Sequence, residues 1–130
     1  ASGVQCGTVF LTAQECGVHR NYKDKILKAK DIDTIMTGKR LGHPVRALKT
    51  PFSRAFFEKE YDSSVSNDAL ERFGEGALMR AAVNGDVETG CFMAGQISGL
   101  VKNERPAAEI MTEMFKEAEA LLNGAAKWVK

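Results

Sequence analysis

The sequence predicts an α/β protein in which helices dominate and strands are few. The run VQC at residues 4–6 opens VQCGTVFL, a mostly apolar stretch with β-branched and aromatic residues, and ends abruptly at Gly7, as a buried strand does. Two strand candidates, Thr34–Thr37 and Val45–Leu48, flank the basic, glycine-containing loop GKRLGHP and indicate a hairpin. Apolar residues at three- and four-residue spacing fill the second half of the chain and predict helices.

The VQC strand needs neighbours, because a lone strand cannot satisfy its own backbone groups. Two arrangements fit the pattern. The strand could belong to a parallel sheet whose other strands lie outside this chain, or it could pair with the hairpin in a small α+β fold. Because the sequence opens at this strand without an initiator Met, we expect the chain to be the back part of a larger protein.

Capping signals predict where the first helices begin. Thr12 and Glu15 have capping-box spacing, and a lysine-rich helix is expected to continue over residues 22–30. Ser53 is expected to N-cap the short helix RAFFEKEY, since Pro51 cannot lie inside a helix.

The second half of the chain is expected to be helical. An apolar stripe runs over residues 69–82, with Gly74 and Gly76 marking a break in it. Residues 92–101 are apolar or small on nearly all sides and predict a buried helix. Pro106 fits the first turn of a last helix, whose expected packing face comprises Ile110, Met111, Met114, Phe115, Ala118, Leu121 and Leu122.

Composition narrows the class of protein. The 130 residues suffice for one domain with a core, and a formal net charge of +1 gives no reason to expect a nucleic-acid or membrane partner. No apolar run is long enough to cross a bilayer. Cys6, Cys16 and Cys91 lack CxxC spacing, so we expect buried thiols in a reducing cytoplasm. The two histidines lie in different segments, and no metal site is expected.

Two glycine-containing motifs could approach a ligand. Gly7-Thr8 at the end of a strand could present backbone N–H groups to a phosphate, although the glycine could equally serve only the turn. GCFMAGQISG at residues 90–99 would allow close backbone approach. The alternative is a tightly packed helix in which Gln96 caps a neighbouring backbone group.

Four segments, taken in order, resemble a known family: QCGTVF, HRNYKDKILKAKDIDTIMTG, GHPVRALKT and NGDVETGCFMAGQISGLV. They are similar to the C-terminal part of the flavin-dependent enoyl-acyl-carrier-protein reductase II family, whose wider group includes the nitronate monooxygenases, formerly 2-nitropropane dioxygenases. FMAGQ together with His19, Tyr22 and Lys23 is the most specific part. The similarity is weakest over residues 57–67 and after Lys102.

The resemblance implies the C-terminal portion of an FMN-binding TIM barrel, followed by a mainly helical extension with a short hairpin. Residues 1–30 would hold the last barrel strand and the following helix, and residues 31–130 the helical region. The implied FMN contacts are Gln5, Gly7, Thr8, Met93 and Gln96. Val9 stands where the family commonly has an Arg.

The family's active-site histidine would lie in the barrel strands outside this chain, so neither His19 nor His43 is assigned a catalytic role. Arg46 could meet a phosphate of the nicotinamide cofactor or of the carrier-protein arm. An ordinary surface salt bridge is the alternative.

The implied activity passes hydride from NAD(P)H through FMN to a trans-2-enoyl thioester carried on acyl carrier protein. DIDTIMTGKRLGHPVRALKT favours this reductase branch. Oxidation of a nitronate by FMN and oxygen is the first alternative, and a non-catalytic helical fragment is the second. A homodimer through the helical part is a further expectation.

Overall fold

Short helices surround a single hairpin in the computed structural model, which describes residues 3–127, except the side chain of Ala126. The elements in chain order are α1 Thr8–Leu11, α2 Arg20–Lys28, β1 Thr34–Thr37, β2 Val45–Leu48, α3 Pro51–Tyr61, α4 Asn67–Gly74, α5 Ala77–Ala82, a 3₁₀ turn Gln96–Leu100, α6 Ala107–Gly124 and a 3₁₀ turn Ala125–Lys127. Within this part of the chain, no helix is both long and apolar enough to span a membrane.

The predicted hairpin is confirmed at both strands. β1 and β2 pair antiparallel, with Thr34 opposite Leu48 and Thr37 opposite Val45. The loop between them is held by the buried carboxylate of Glu60 on α3, which accepts hydrogen bonds from the backbone N–H groups of Gly38 at 3.1 Å and Arg40 at 2.8 Å. These bonds fix the loop against α3.

Residues 91–95 form an extended segment beside β2, so the predicted buried helix over residues 92–101 is wrong. Met93 makes a β-bridge with Ala47, and the N–H of Leu48 donates to the carbonyl oxygen of Phe92 at 2.8 Å. Backbone groups of Phe92 and Ala94 therefore hydrogen-bond to β2, so they are not available for bonds within a helix. Only residues 96–100 turn, as a short 3₁₀ segment, and Gln96 is exposed.

Two apolar cores lie on either side of this extended segment, because successive side chains point in opposite directions. Phe92 enters a core with Tyr22 and Ile26 of α2, and the Tyr22 and Phe92 rings are 4.9 Å apart. Cys91 enters a second core with Phe52 and other side chains of α3–α5. One short segment thus joins both halves of the fold.

The two predicted N-caps, Thr12 and Ser53, lie seven and three residues from the observed caps, His19 and Thr50. Thr12 ends α1, its hydroxyl donating to the carbonyl oxygen of Val9 at 2.9 Å, so it caps no helix start, and α2 begins at Arg20. Thr50 caps α3 in place of Ser53, which completes a capping box from the third helical position. Pro51 occupies the first helical position, where its missing N–H costs nothing.

The predicted break in the 69–82 stripe is confirmed. α4 ends at Gly74 and α5 begins at Ala77, because Gly76 takes a left-handed conformation with φ of +69°. A residue with a Cβ rarely adopts that conformation, so the glycine sets the boundary between the two helices.

Residues 4–6 take no strand conformation within the described chain. Val4 is 87% exposed, and Cys6 is exposed where a buried thiol was expected, whereas Cys91 is buried as predicted. The alternative in which VQC pairs with the hairpin is also wrong, because residues 91–95 already occupy the free edge of β2. Among the described residues, VQC has no partner strand.

The packing face predicted for α6 is only partly covered. Ile110 is buried, as expected. Most of the other apolar side chains on that helix are half or more exposed within the described chain, namely Met111, Phe115, Leu121 and Leu122.

Candidate functional site

The two glycine-containing motifs meet at one hydrogen bond. The Thr8 hydroxyl, in the first turn of α1, accepts from the backbone N–H of Gly95 at 2.9 Å, across 87 positions of sequence. A Cβ built on Gly95 would come within 3.4 Å of the same oxygen, which is a tight contact. The glycine therefore allows the extended segment to approach α1 closely.

A second side chain fixes the same segment. Tyr22 of α2 is 2% exposed, and its hydroxyl donates to the carbonyl oxygen of Met93 at 2.7 Å. Burial raises the pKa of Tyr22 well above its ordinary value, which keeps the phenol a neutral donor at any physiological pH. This bond satisfies a carbonyl that lies beside the apolar core.

The remaining backbone groups of the segment are also paired. The N–H of Ala94 donates to the carbonyl oxygen of Arg46 at 3.1 Å. The carbonyl oxygen of Gly95 accepts from both the N–H of Ser98 at 3.1 Å and its hydroxyl at 2.9 Å. Residues 93–95 are thus held by side chains and backbone from four other parts of the chain, so their position is well defined.

The space around Gly7 is open. Gly7 is exposed, and a Cβ built on it would meet nothing within 4 Å. It N-caps α1, whose first N–H groups have no intrahelical acceptor. Room and donors suitable for an anionic group therefore coexist here, which fits the phosphate of a nucleotide cofactor. Gln5 is likewise exposed, and no side-chain hydrogen bond of Gln5 occurs within residues 3–127.

Met93 and Gln96 face different surroundings. The Met93 side chain lines a cleft of about 700 Å³ between the hairpin loop and helices α3–α5. Phe52, Phe56 and Cys91 contribute to its apolar wall, and His43 lies at the loop side. Burial raises the pKa of the Cys91 thiol to about 11, so it is neutral and no nucleophile at pH 7. Gln96 is exposed and is not among the residues that line this cleft.

Three residues considered from sequence lie elsewhere. His19 caps α2, with Nδ1 accepting the N–H of Asn21 at 3.1 Å, and it packs against Gly85. Arg46 donates to the Thr34 hydroxyl across the hairpin at 3.0 Å, and within the described residues it forms no salt bridge. Val9 packs against the Tyr22 core.

The buried cation of Lys23 joins two segments next to the site. Lys23 is 6% exposed, and its ammonium donates to the carbonyl oxygen of Ala13 at 2.7 Å and to the Glu104 carboxylate at 3.0 Å. Arg20 pairs with the same carboxylate. These contacts tie the loop after α1 to the segment that follows the 3₁₀ turn, so α1 and residues 96–104 are fixed together.

Sequence reasoning singled out Tyr22 and Gly95 only as parts of motifs and gave neither a role. Tyr22 precedes Ile26 by four positions on α2, and that spacing marks a buried helix face. Its hydroxyl then needs a partner, which is the signal that could have identified it. The contact between Thr8 and Gly95 had no sequence signal, because it joins residues far apart in the chain.

Comparison with known proteins places these features in a family. The family model for nitronate monooxygenase matches residues 1–117. A probable nitronate monooxygenase of Staphylococcus saprophyticus is 31% identical over 95% of this chain, and one from Staphylococcus aureus is 27% identical over 94%. The chain spans only 34% of the length of each of these relatives.

Solved structures show the same arrangement. FabK from Thermotoga maritima superposes with a TM-score of 0.87 at 39% identity, over 95% of this chain and 39% of that chain. A methionine-to-alanine mutant of the same FabK gives a TM-score of 0.80 at 36% identity. Because the family model matches residues 1–117 of the 130, the chain belongs to the nitronate monooxygenase family.

Proposed function

We propose that this chain is the C-terminal part of an FMN-dependent enoyl-acyl-carrier-protein reductase. The observation that carries the proposal is the similarity to FabK, which is higher in identity than the similarity to the curated nitronate monooxygenases, 39% against 31%. FabK is an enoyl-acyl-carrier-protein reductase II, and this is the family that the sequence resembles. Oxidoreductase chemistry is common to both branches.

The proposed parent fold is a TIM barrel of which residues 4–6 supply the last strand. Support comes from the exposure of Val4 and the lack of a partner strand for VQC among the described residues. A strand whose sheet lies outside the described chain would have exposed side chains and unpaired backbone groups. The division into residues 1–30 and 31–130 belongs to this proposal.

FMN fits the residues present at this site. Gly7 and Thr8 would give backbone N–H groups to its phosphate, with Gln5 nearby, while Met93 and Gln96 would contact the flavin from the extended segment. FMN supplies the hydride-transfer chemistry, and the protein supplies binding and orientation. This chain's contribution is to hold both contact segments at a fixed separation through the bond between Thr8 and Gly95.

Oxidation of a nitronate is the second candidate function. The family model and the curated relatives carry that name, which is the observation that favours it. NAD(P)H, the acyl-carrier-protein-bound substrate, a homodimer and a cytoplasmic location all remain predictions from the resemblance.

The experiment that separates the two functions uses the full-length protein, purified with its flavin. NAD(P)H oxidation is measured with a trans-2-enoyl thioester as acceptor, and oxygen uptake is measured with a nitronate. The reductase proposal requires thioester-dependent NAD(P)H oxidation that continues under anaerobic conditions. Oxygen uptake with a nitronate, and no thioester reduction, would instead establish the second candidate.

A further inference from the structure

We infer that Thr8 and Tyr22 are positioning residues that lock the Met93–Gln96 segment in place for the cofactor, acting through the backbone of Gly95 and Met93. The inference rests on the proposed FMN site. It adds a role for two side-chain hydroxyl groups that the proposed contacts do not use, since Thr8 was expected to contribute its backbone and Tyr22 had no assigned role.

The first observation is that the two hydroxyls bond the same three-residue stretch from different elements. Thr8 Oγ1 on α1 accepts from the Gly95 N–H at 2.9 Å, and the Tyr22 hydroxyl on α2 donates to the Met93 carbonyl oxygen at 2.7 Å. Each bond joins residues more than 70 positions apart, 87 and 71 respectively. Such contacts do not follow from local chain geometry, so they set the tertiary position of the stretch.

The second observation is that both bonds lie in partly buried, packed surroundings. A Cβ on Gly95 would approach Thr8 Oγ1 to 3.4 Å, and the Tyr22 ring is buried against Phe92. Loss of either bond would leave a backbone group unpaired in a partly buried place.

These contacts connect the two sides of the proposed flavin site. α1 begins at Gly7-Thr8, where the phosphate would bind, and residues 93–96 would meet the flavin. If the separation between them is fixed before the cofactor arrives, binding does not have to order the segment. Removing a hydroxyl should therefore weaken FMN binding even though neither hydroxyl is required to touch FMN.

The test uses three variants of the full-length protein: Thr8→Val, which keeps the shape and removes the acceptor, Thr8→Ser, which restores it, and Tyr22→Phe. The FMN dissociation constant is measured by quenching of flavin fluorescence on adding apoprotein. We expect Thr8→Val and Tyr22→Phe to weaken FMN binding roughly tenfold, the equivalent of one hydrogen bond, with Thr8→Ser within about twofold of wild type. The visible absorption bands of bound flavin should shift in Thr8→Val and return in Thr8→Ser.

Thr112→Val on α6 is the matched control, because it also removes a threonine hydroxyl that bonds the backbone, in this case by donating to the carbonyl oxygen of Ala108 at 2.9 Å. Thermal unfolding of each apoprotein separates a general loss of stability from a specific loss of FMN affinity. Wild-type protein that binds no FMN would refute the proposed function itself. Wild-type protein that binds FMN, with Thr8→Val and Tyr22→Phe equal to it in affinity and spectrum, would overturn the positioning role alone.

Discussion

At the scale of single residues, Lys23 illustrates how one buried cation can organise several segments. Its ammonium is almost wholly buried and donates to backbone carbonyls of Ala13 and Gln14 as well as to Glu104. A charge in such a place is tolerated only when it is paired and fully hydrogen-bonded. The loop after α1 and the chain near Glu104 are therefore held through this one side chain.

Replacement of Lys23 by Met should destabilise the full-length protein by about 1–3 kcal/mol, because the carbonyls lose their donor while the apolar stem is kept. Urea-induced unfolding measures the change. Lys28→Met, at an exposed position of the same helix, is the control and should change stability by less than about 0.5 kcal/mol. Equal stability of the two variants would refute the anchoring role of Lys23.

Glu104 should make stability depend on pH. Hydrogen bonds from Arg20 and then Lys23 hold the pKa of this carboxyl below its ordinary value of 4.5. A depressed carboxyl pKa adds stability above the ordinary value, and that stability is lost as pH falls through the lowered value. The melting temperature of wild type should therefore fall more steeply than that of Glu104→Gln below about pH 4.5. Parallel curves would exclude a contribution from Glu104.

At the scale of elements, the hairpin loop depends on its glycines for two separable reasons. Gly38 and Gly42 both have positive φ, +79° and +77°. A Cβ on Gly38 would lie 2.5 Å from the carbonyl oxygen of His43, whereas one on Gly42 would meet nothing within 4 Å. An alanine at either position would have a strained backbone conformation, but only at position 38 would its Cβ also clash with a neighbouring atom.

Gly42→Ala should cost about 1 kcal/mol from backbone conformation alone, and Gly38→Ala should cost at least about 1 kcal/mol more because of the clash. Both changes are read from urea midpoints of the full-length protein. A Gly38→Ala variant no less stable than Gly42→Ala would show that the loop rearranges freely and would contradict the fixed hairpin loop.

Elements also differ in how far sequence could predict them. The hairpin strands were predicted at their observed bounds, because β-branched runs around a glycine-rich loop carry a local signal. The segment at residues 91–95 could not be predicted as extended, since its conformation comes from pairing with β2, a tertiary contact. The start of α3 was misplaced because Ser53 does cap, but from inside the helix and as the partner of Thr50.

The candidate site, like the elements, could be predicted from sequence only in part. Motif reasoning selected Gly7, Thr8 and Gln96, and the family resemblance added Gln5 and Met93. The fold brings Thr8 into contact with the stretch between Met93 and Gln96. Sequence reasoning could not show that the Thr8 hydroxyl makes this contact, or that Tyr22 fixes Met93, because both bonds span distant parts of the sequence. Flavin contact by any of these residues remains a prediction.

At the scale of the whole molecule, the described chain leaves many large apolar side chains exposed. Among them, Val4 in the predicted strand is 87% exposed, and Phe115 on α6 is 73% exposed. Soluble proteins seldom leave extended apolar patches open to water. Other parts of a longer protein could cover both side chains, and the curated relatives are about three times as long as this chain.

The proposed function requires that the full-length protein carry FMN and pass hydride from NAD(P)H to an enoyl thioester. Its most direct test is anaerobic absorbance of the flavin near its visible maximum, recorded during two additions. We predict that NAD(P)H bleaches the band and that a trans-2-enoyl thioester restores it without oxygen. Protein that has no flavin band, or whose bleached band returns only with oxygen, would contradict the account.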